Sequence, residues 1–180
     1  MRRILMLLLV SMVMLLIAAV PAFARHYHTL DTSNGDEVIT TYVGGNYPGA
    51  WNNALQNWNV LDTEANGNGL RFVETTNAST AELVITQGPL EGTACGSASI
   101  LGYPGNWQNS ITFDGAWYNS HTADEREWCS THELGHIAGG EHHGCTLNER
   151  QNTVMVAGCI STFLTRVGAW DREWWADKWL

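Results

Sequence analysis

The chain has 180 residues, of which 18 are acidic and nine are basic, and its formal net charge is −9. This acidic balance argues against nucleic acid as a partner, because proteins bind phosphates through an excess of lysine and arginine. Apolar residues make up 44% of the chain, which is enough for one domain with its own hydrophobic core.

Residues 1–24 are predicted to be a secretory signal peptide. Arg2 and Arg3 precede an apolar stretch over 4–20, and Pro21-Ala22-Phe23-Ala24 supplies the small residues that signal peptidase accepts. The alternative is an uncleaved membrane anchor, since the apolar stretch approaches the length of a spanning helix. Cleavage after Ala24 would leave residues 25–180 as one secreted (extracellular or periplasmic) domain with no stable membrane insertion.

In chain order, the hydrophobic pattern predicts a single α+β domain. Strands rich in β-branched and apolar residues are expected over 38–43, 70–74, 82–86 and 111–114. An amphipathic helix is expected to carry Trp51, Ala54, Leu55, Trp58 and Leu61, and to end before the turn at 66–69.

Two further helices follow. The first is predicted from about Ala123 to Ala138, because Thr122 and Glu125 fit a capping box and two glycines follow Ala138. The second is predicted near 166–179, at the end of the chain.

The four cysteines are Cys95, Cys129, Cys145 and Cys159. An even number of cysteines in an exported chain predicts two disulfides, for which three pairings are possible. A cysteine zinc site is the alternative, and the sequence contains no C-x-x-C pair that would support it.

The most informative segment begins at His132 and reads HELGHIAGGEH. On a helix, His132 and His136 lie one turn apart on the same face and can bind one metal ion. Glu133 can reach a water molecule on that metal without binding the metal itself. Gly139 is expected to end the helix, so that His142 approaches from another direction. Three neutral imidazoles and one water form the open tetrahedral site that is typical of catalytic zinc.

Two alternatives to this interpretation stay open. A helix with unrelated surface histidines would need no metal, although the added Gly139 and His142 make coincidence roughly several hundred-fold rarer than for H-E-x-x-H alone. His143 could replace His142 as the third ligand, but it breaks the spacing of the motif.

The eleven residues match the extended zinc-binding motif of the metzincin peptidases, and the chain resembles the small bacterial and matrixin-like members of that clan. The resemblance implies a short twisted mixed β-sheet with an active-site helix and a C-terminal helix. It implies that Met155, in Val154-Met155-Val156, forms the Met-turn beneath the metal. It also implies that the edge strand for substrate consists of Ile111, Thr112, Phe113 and Asp114.

The chain is also similar to snapalysin-like bacterial peptidases in the cysteines that flank Met155. That similarity implies one disulfide between Cys145 and Cys159, which leaves Cys95 to pair with Cys129. Snapalysin-like enzymes usually have aspartate as the third metal ligand, whereas this chain has His142. The resemblance is therefore to the clan rather than to that family.

The implied function is that of a secreted zinc endopeptidase with one catalytic Zn²⁺ and a protein or peptide substrate. Glu133 would take a proton from the zinc-bound water and pass it to the leaving amine. A secreted zinc amidohydrolase for non-peptide amides is one alternative. A glycan- or protein-binding module is the other, because Trp175 and Trp179 are expected to point away from the core face that Trp170 and Trp174 share.

A calcium loop over 62–68 is an alternative to a glycine-rich turn, and nothing else in the sequence supports calcium. No pattern in the sequence predicts an oligomeric state.

Overall fold

The computed structural model describes residues 38–100, 108–157 and 164–180. The predicted signal peptide over residues 1–24 and the predicted disulfide partner Cys159 lie outside these ranges. Within the described ranges, no helix is long and apolar enough to cross a membrane.

The described residues form an α+β domain with a mixed five-stranded sheet and five helices. The strands are β1 Val38–Val43, β2 Arg71–Glu74, β3 Leu83–Gly88, β4 Gly96–Ser99 and β5 Asn109–Asp114. The helices are α1 Pro48–Glu64, α2 Gly115–Ser120, α3 Ala123–Ile137, α4 Leu147–Asn152 and α5 Ala169–Trp179. The four predicted strands and three predicted helices are all present, and β4, α2 and α4 are additional.

The sheet has five strands in the order β2-β1-β3-β5-β4. Strands β2, β1, β3 and β5 run parallel to one another, and β4 pairs antiparallel with β5. Among the described strands, β4 is therefore an edge strand and β5 is an interior strand.

The prediction that Ile111, Thr112, Phe113 and Asp114 form the edge strand is wrong. These residues lie in β5, where Ile111 pairs with Ile85 of β3 on one side and Ala98 of β4 on the other. Ile111 and Phe113 are fully buried, as an interior strand requires. The edge position belongs to Gly96–Ser99, a short strand of small residues that lacks the β-branched pattern of a buried strand.

Helix α1 supports helix α3, which carries the HELGH segment, from within the core. The predicted apolar stripe of α1 is buried, with Trp51 and Trp58 almost fully enclosed. The indole N–H of Trp58 donates to the backbone carbonyl of Thr131 at 2.8 Å. Because Thr131 directly precedes His132, this bond connects the core to the first residue of the HELGH segment.

The C-terminal tryptophans agree with expectation at Trp174 and differ from it at Trp175. Trp175 is buried at 2% exposure, and its ring occupies the space directly beside Gly69. Trp174 packs edge-to-face against Trp58 with the ring centroids 6.3 Å apart. The expectation that Trp175 points away from the core is wrong, because helix α5 packs onto the domain through this residue.

Residues 62–69 form a tight turn. The carboxylate of Asp62 accepts a hydrogen bond from the backbone N–H of Gly69 at 3.0 Å, and the Asp62 carbonyl accepts one from Gly67 at 2.9 Å. Gly67 has a φ of 78°, a left-handed conformation that glycine adopts without strain. The Asp62 side chain thus closes the glycine-rich turn predicted for this segment.

Candidate metal centre

Local sequence determines how α3 begins and ends. Thr122 caps the helix by accepting from the backbone N–H of Glu125, and the Glu125 carboxylate accepts from Thr122 in return. This is the predicted capping box. At the other end, Gly139 has a φ of 91°, so the chain leaves the helix in the left-handed conformation that favours glycine.

The segment after Gly139 returns beneath α3 and carries His142 to the helix. The backbone of His143 donates to the Met155 carbonyl at 2.6 Å and accepts from the Ala157 N–H at 2.9 Å. These two bonds form a parallel bridge between His143 and Val156. The position of His142 is therefore set by its neighbour's pairing with the segment that contains Met155.

The side chains of His132, His136 and His142 converge. Their Nε2 atoms lie 3.1 Å apart for His132–His136, 3.1 Å for His132–His142 and 2.9 Å for His136–His142. A tetrahedral zinc ion with bonds of about 2.0–2.1 Å holds its ligand nitrogens about 3.3 Å apart. The three nitrogens are therefore spaced as the ligands of one small metal ion.

The opposite ring nitrogens test whether this group fits a metal. The Nδ1–H of His132 donates to the carbonyl of Val154 at 2.9 Å, and the Nδ1–H of His136 donates to the carbonyl of Gly140 at 2.9 Å. Since a carbonyl only accepts, each proton is on Nδ1 and each Nε2 carries a lone pair. The Nε2 lone pairs of His132 and His136 face each other with no proton between them, and they repel unless a cation lies between them. The residues therefore fit a metal ion.

The electrostatics of the two helical histidines favour the neutral, ligating form. Burial, with help from the neighbouring His136, lowers the pKa of His132 to about 3. Burial also lowers the pKa of His136. Both rings are therefore uncharged at neutral pH, the state in which imidazole binds a metal.

Glu133 directly follows His132 on α3 and lies outside the three-histidine cluster. Its side chain is only 5% exposed and faces the edge strand β4, where the backbone N–H of Ala98 donates to its carboxylate. Burial raises the pKa of Glu133 to about 7, against the opposing effect of that N–H. A carboxyl group with such a pKa can accept and release a proton near neutral pH.

Met155 lies directly beneath the helix segment that carries the histidines. It is 2% exposed, and its sulfur occupies the space where a side chain at Gly135 would begin. Its methyl group lies against Gly140 in the same way. Met155 thus fills the space under the helical turn between the two helical histidines, and its role as a Met-turn stays a prediction.

The Met155 segment is held by a residue that the sequence analysis did not identify. Asp171, on the first turn of α5, is 3% exposed and accepts hydrogen bonds from the Thr153 hydroxyl and the Val154 backbone N–H. It also accepts from the backbone of Gly168, which precedes α5. The only local signal was an aspartate in a first helical turn, which ordinarily indicates a cap and nothing more.

The centre lies in an open cleft of about 1590 Å³. Strand β4 forms one rim, and the imidazole of His121 stacks on the ring of Trp117 at 3.7 Å to form part of the wall. Glu141 and Lys178 also line the cleft, with the Lys178 side chain next to Gly139. The three histidines and Glu133 therefore line the same cleft as β4.

A disulfide joins the cleft rim to helix α3. Cys95 and Cys129 are bonded, with their Cα atoms 6.3 Å apart, which is one of the two pairings that the resemblance implied. A zinc site built on these two cysteines is excluded, because each sulfur is bonded to the other. The second pairing, Cys145 with Cys159, stays a prediction because Cys159 lies outside the described residues.

Comparison with known proteins reveals similarity in fold only. No family model and no curated protein matches the sequence. Among solved structures, 51 chains match. One of them, described as "Structure of Myroilysin", is similar to this chain with a TM-score of 0.50 and 16% identity, covering 80% of each chain. At this identity, the similarity shows a common fold.

Proposed function

We propose that this chain is a secreted zinc-dependent endopeptidase of the metzincin type. The observation that carries the proposal is the convergence of the Nε2 atoms of His132, His136 and His142 in the cleft that Glu133 also lines. The fold is similar to that of the solved structure described as "Structure of Myroilysin". Secretion follows from the predicted signal peptide over residues 1–24.

The three imidazole ligands favour zinc as the bound metal. Imidazole nitrogen suits zinc and several other transition metals, and three histidines with one open position are typical of catalytic zinc. When bound, the ion would lower the pKa of a coordinated water and polarise the carbonyl group of a substrate.

Glu133 would handle the protons of the reaction. Its carboxylate would take a proton from the attacking water and deliver it to the nitrogen of the leaving amine. Its burial beneath β4 keeps the side chain in one place, and the Ala98 N–H orients it. The His132 and His136 rings would hold their orientation through the Val154 and Gly140 carbonyls.

An extended peptide would bind along β4. The backbone groups on the side of β4 that faces away from β5 have no strand partner among the described residues. An added strand can pair with such an edge through main-chain hydrogen bonds. The side chains of β4 are all small, so a peptide backbone can approach the strand closely.

Glu133→Ala tests the proposal. We expect casein hydrolysis to fall by ~10²–10⁴, because that is the usual contribution of a positioned acid–base group. Zinc content, measured by mass spectrometry, should stay at about one ion per chain, since all three imidazoles remain. Glu173→Ala, at an exposed position of α5, is the matched control and should keep full activity.

Three results would contradict the proposal. Full activity in Glu133→Ala would remove the proton-transfer role. Purified protein that neither contains nor takes up zinc would remove the metal centre. Cleavage of small non-peptide amides without any cleavage of casein would favour the amidohydrolase instead.

A further inference from the structure

Glu133 and the edge strand fit together at Gly96. A Cβ atom built on Gly96 would lie 2.5 Å from Cγ of Glu133, 2.8 Å from Cδ and 3.0 Å from Oε1. The first two distances are shorter than 3.0 Å, a nonbonded separation that real Cβ atoms essentially never show. Cγ lies in the middle of a side chain that is only 5% exposed, so it has little room to move. Only glycine at position 96 leaves space for Glu133 as it stands.

Two further contacts tie this strand to the same side chain. The backbone N–H of Ala98, two residues beyond Gly96, donates to the Glu133 carboxylate. Cys95, directly before Gly96, is bonded to Cys129 of α3. Cys129 lies four residues before Glu133, which places both on the same face of the helix one turn apart. The spacing between β4 and α3 is thus held covalently next to Glu133.

We propose that β4 positions Glu133 for proton transfer, with Gly96 as the positioning residue that sets how close the carboxyl lies to the strand. Strand β4, which would bind the substrate backbone, therefore also positions the Glu133 carboxylate that accepts the proton. This inference rests on the proposed peptidase function, because it assigns Gly96 a role in the same reaction.

Gly96→Ala tests the inference. The added methyl must push the Glu133 side chain aside, and displacement of a reacting group by about 1 Å costs on the order of 10²-fold in rate. We expect kcat on a peptide substrate to fall by about 10²-fold. KM and zinc content should stay near wild type, because the backbone edge and the three histidines do not change. Gly49→Ala is the matched control, since a Cβ there meets no atom within 4 Å.

A melting experiment tests the same contact without any activity measurement. Gly96→Ala should lower the melting temperature by about 5 °C, as expected for an overpacked core position. In a Glu133→Ala background the same substitution should have almost no effect, because the atoms nearest to the new methyl are gone. If Gly96→Ala does not fold but the double variant Gly96→Ala/Glu133→Ala does, that result also supports the close contact between Gly96 and Glu133.

The outcomes separate this inference from the function on which it rests. Full kcat in Gly96→Ala, together with an inactive Glu133→Ala, would overturn the positioning role and leave the peptidase proposal intact. An equal loss of melting temperature in both backgrounds would also overturn it. Full activity in Glu133→Ala would remove both proposals.

Discussion

Replacement of Asp171 by alanine should weaken both the fold and the metal centre. The Asp171 carboxylate is buried and accepts from the Thr153 hydroxyl, from Val154 N–H at 2.9 Å and from Gly168 N–H at 2.7 Å. Alanine leaves these three donors without an acceptor in a buried site. An unsatisfied buried donor costs about 1–3 kcal/mol.

The loss of stability in Asp171→Ala should be smaller than the summed cost of three unsatisfied donors. Burial raises the pKa of the Asp171 carboxyl, so removal of the charge recovers part of its desolvation cost. We expect a loss of about 3–4 kcal/mol in the free energy of unfolding. For a domain of this size, that corresponds to a fall of about 10 °C in the melting temperature.

Metal affinity should fall as well, because Asp171 acts through Val154. Val154 accepts from His132 Nδ1–H with its carbonyl and donates to Asp171 with its N–H. Loss of a partner that supports a ligating histidine typically lowers metal affinity by about 10–100-fold. Thermal melting followed by circular dichroism measures the first effect, and zinc competition against a chelator measures the second.

Asp177→Ala is the control for this experiment, because Asp177 is an exposed aspartate on the same helix. It should melt within about 1–2 °C of wild type, as surface substitutions usually do. An Asp171→Ala protein with wild-type melting and wild-type zinc affinity would refute the assignment of Asp171 as the support of the Met155 segment.

Two further predictions concern the metal centre. His142→Ala should reduce zinc retention after dialysis far more than His143→Ala, because only His142 belongs to the three-histidine cluster; equal losses would show that the third ligand is misassigned. Gly135→Ala should cost about 1–3 kcal/mol, because its Cβ would lie 2.3 Å from the Met155 sulfur and 2.8 Å from the Trp58 ring. Urea unfolding measures this cost, and an unchanged midpoint would show that the space under α3 is not tightly packed.

Features that depend on neighbouring residues could be predicted from the sequence. The capping box of Thr122 and Glu125, the same-face spacing of His132 and His136, and the helix end at Gly139 all involve residues within a few positions of one another. Helical hydrogen bonds join residues four apart, so a local pattern is sufficient to specify them. The apolar stripe of α1 is predictable for the same reason.

The tertiary structure decided which strand lies at the rim and what supports the centre. Gly96–Ser99 has no strand pattern of its own, and it becomes a strand because β5 supplies its hydrogen bonds. Asp171 reaches the Met155 segment from 17 residues away, through the packing of α5. Sheet neighbours and buried polar contacts join residues that are distant in the chain, so local periodicity carries no information about which partners they find.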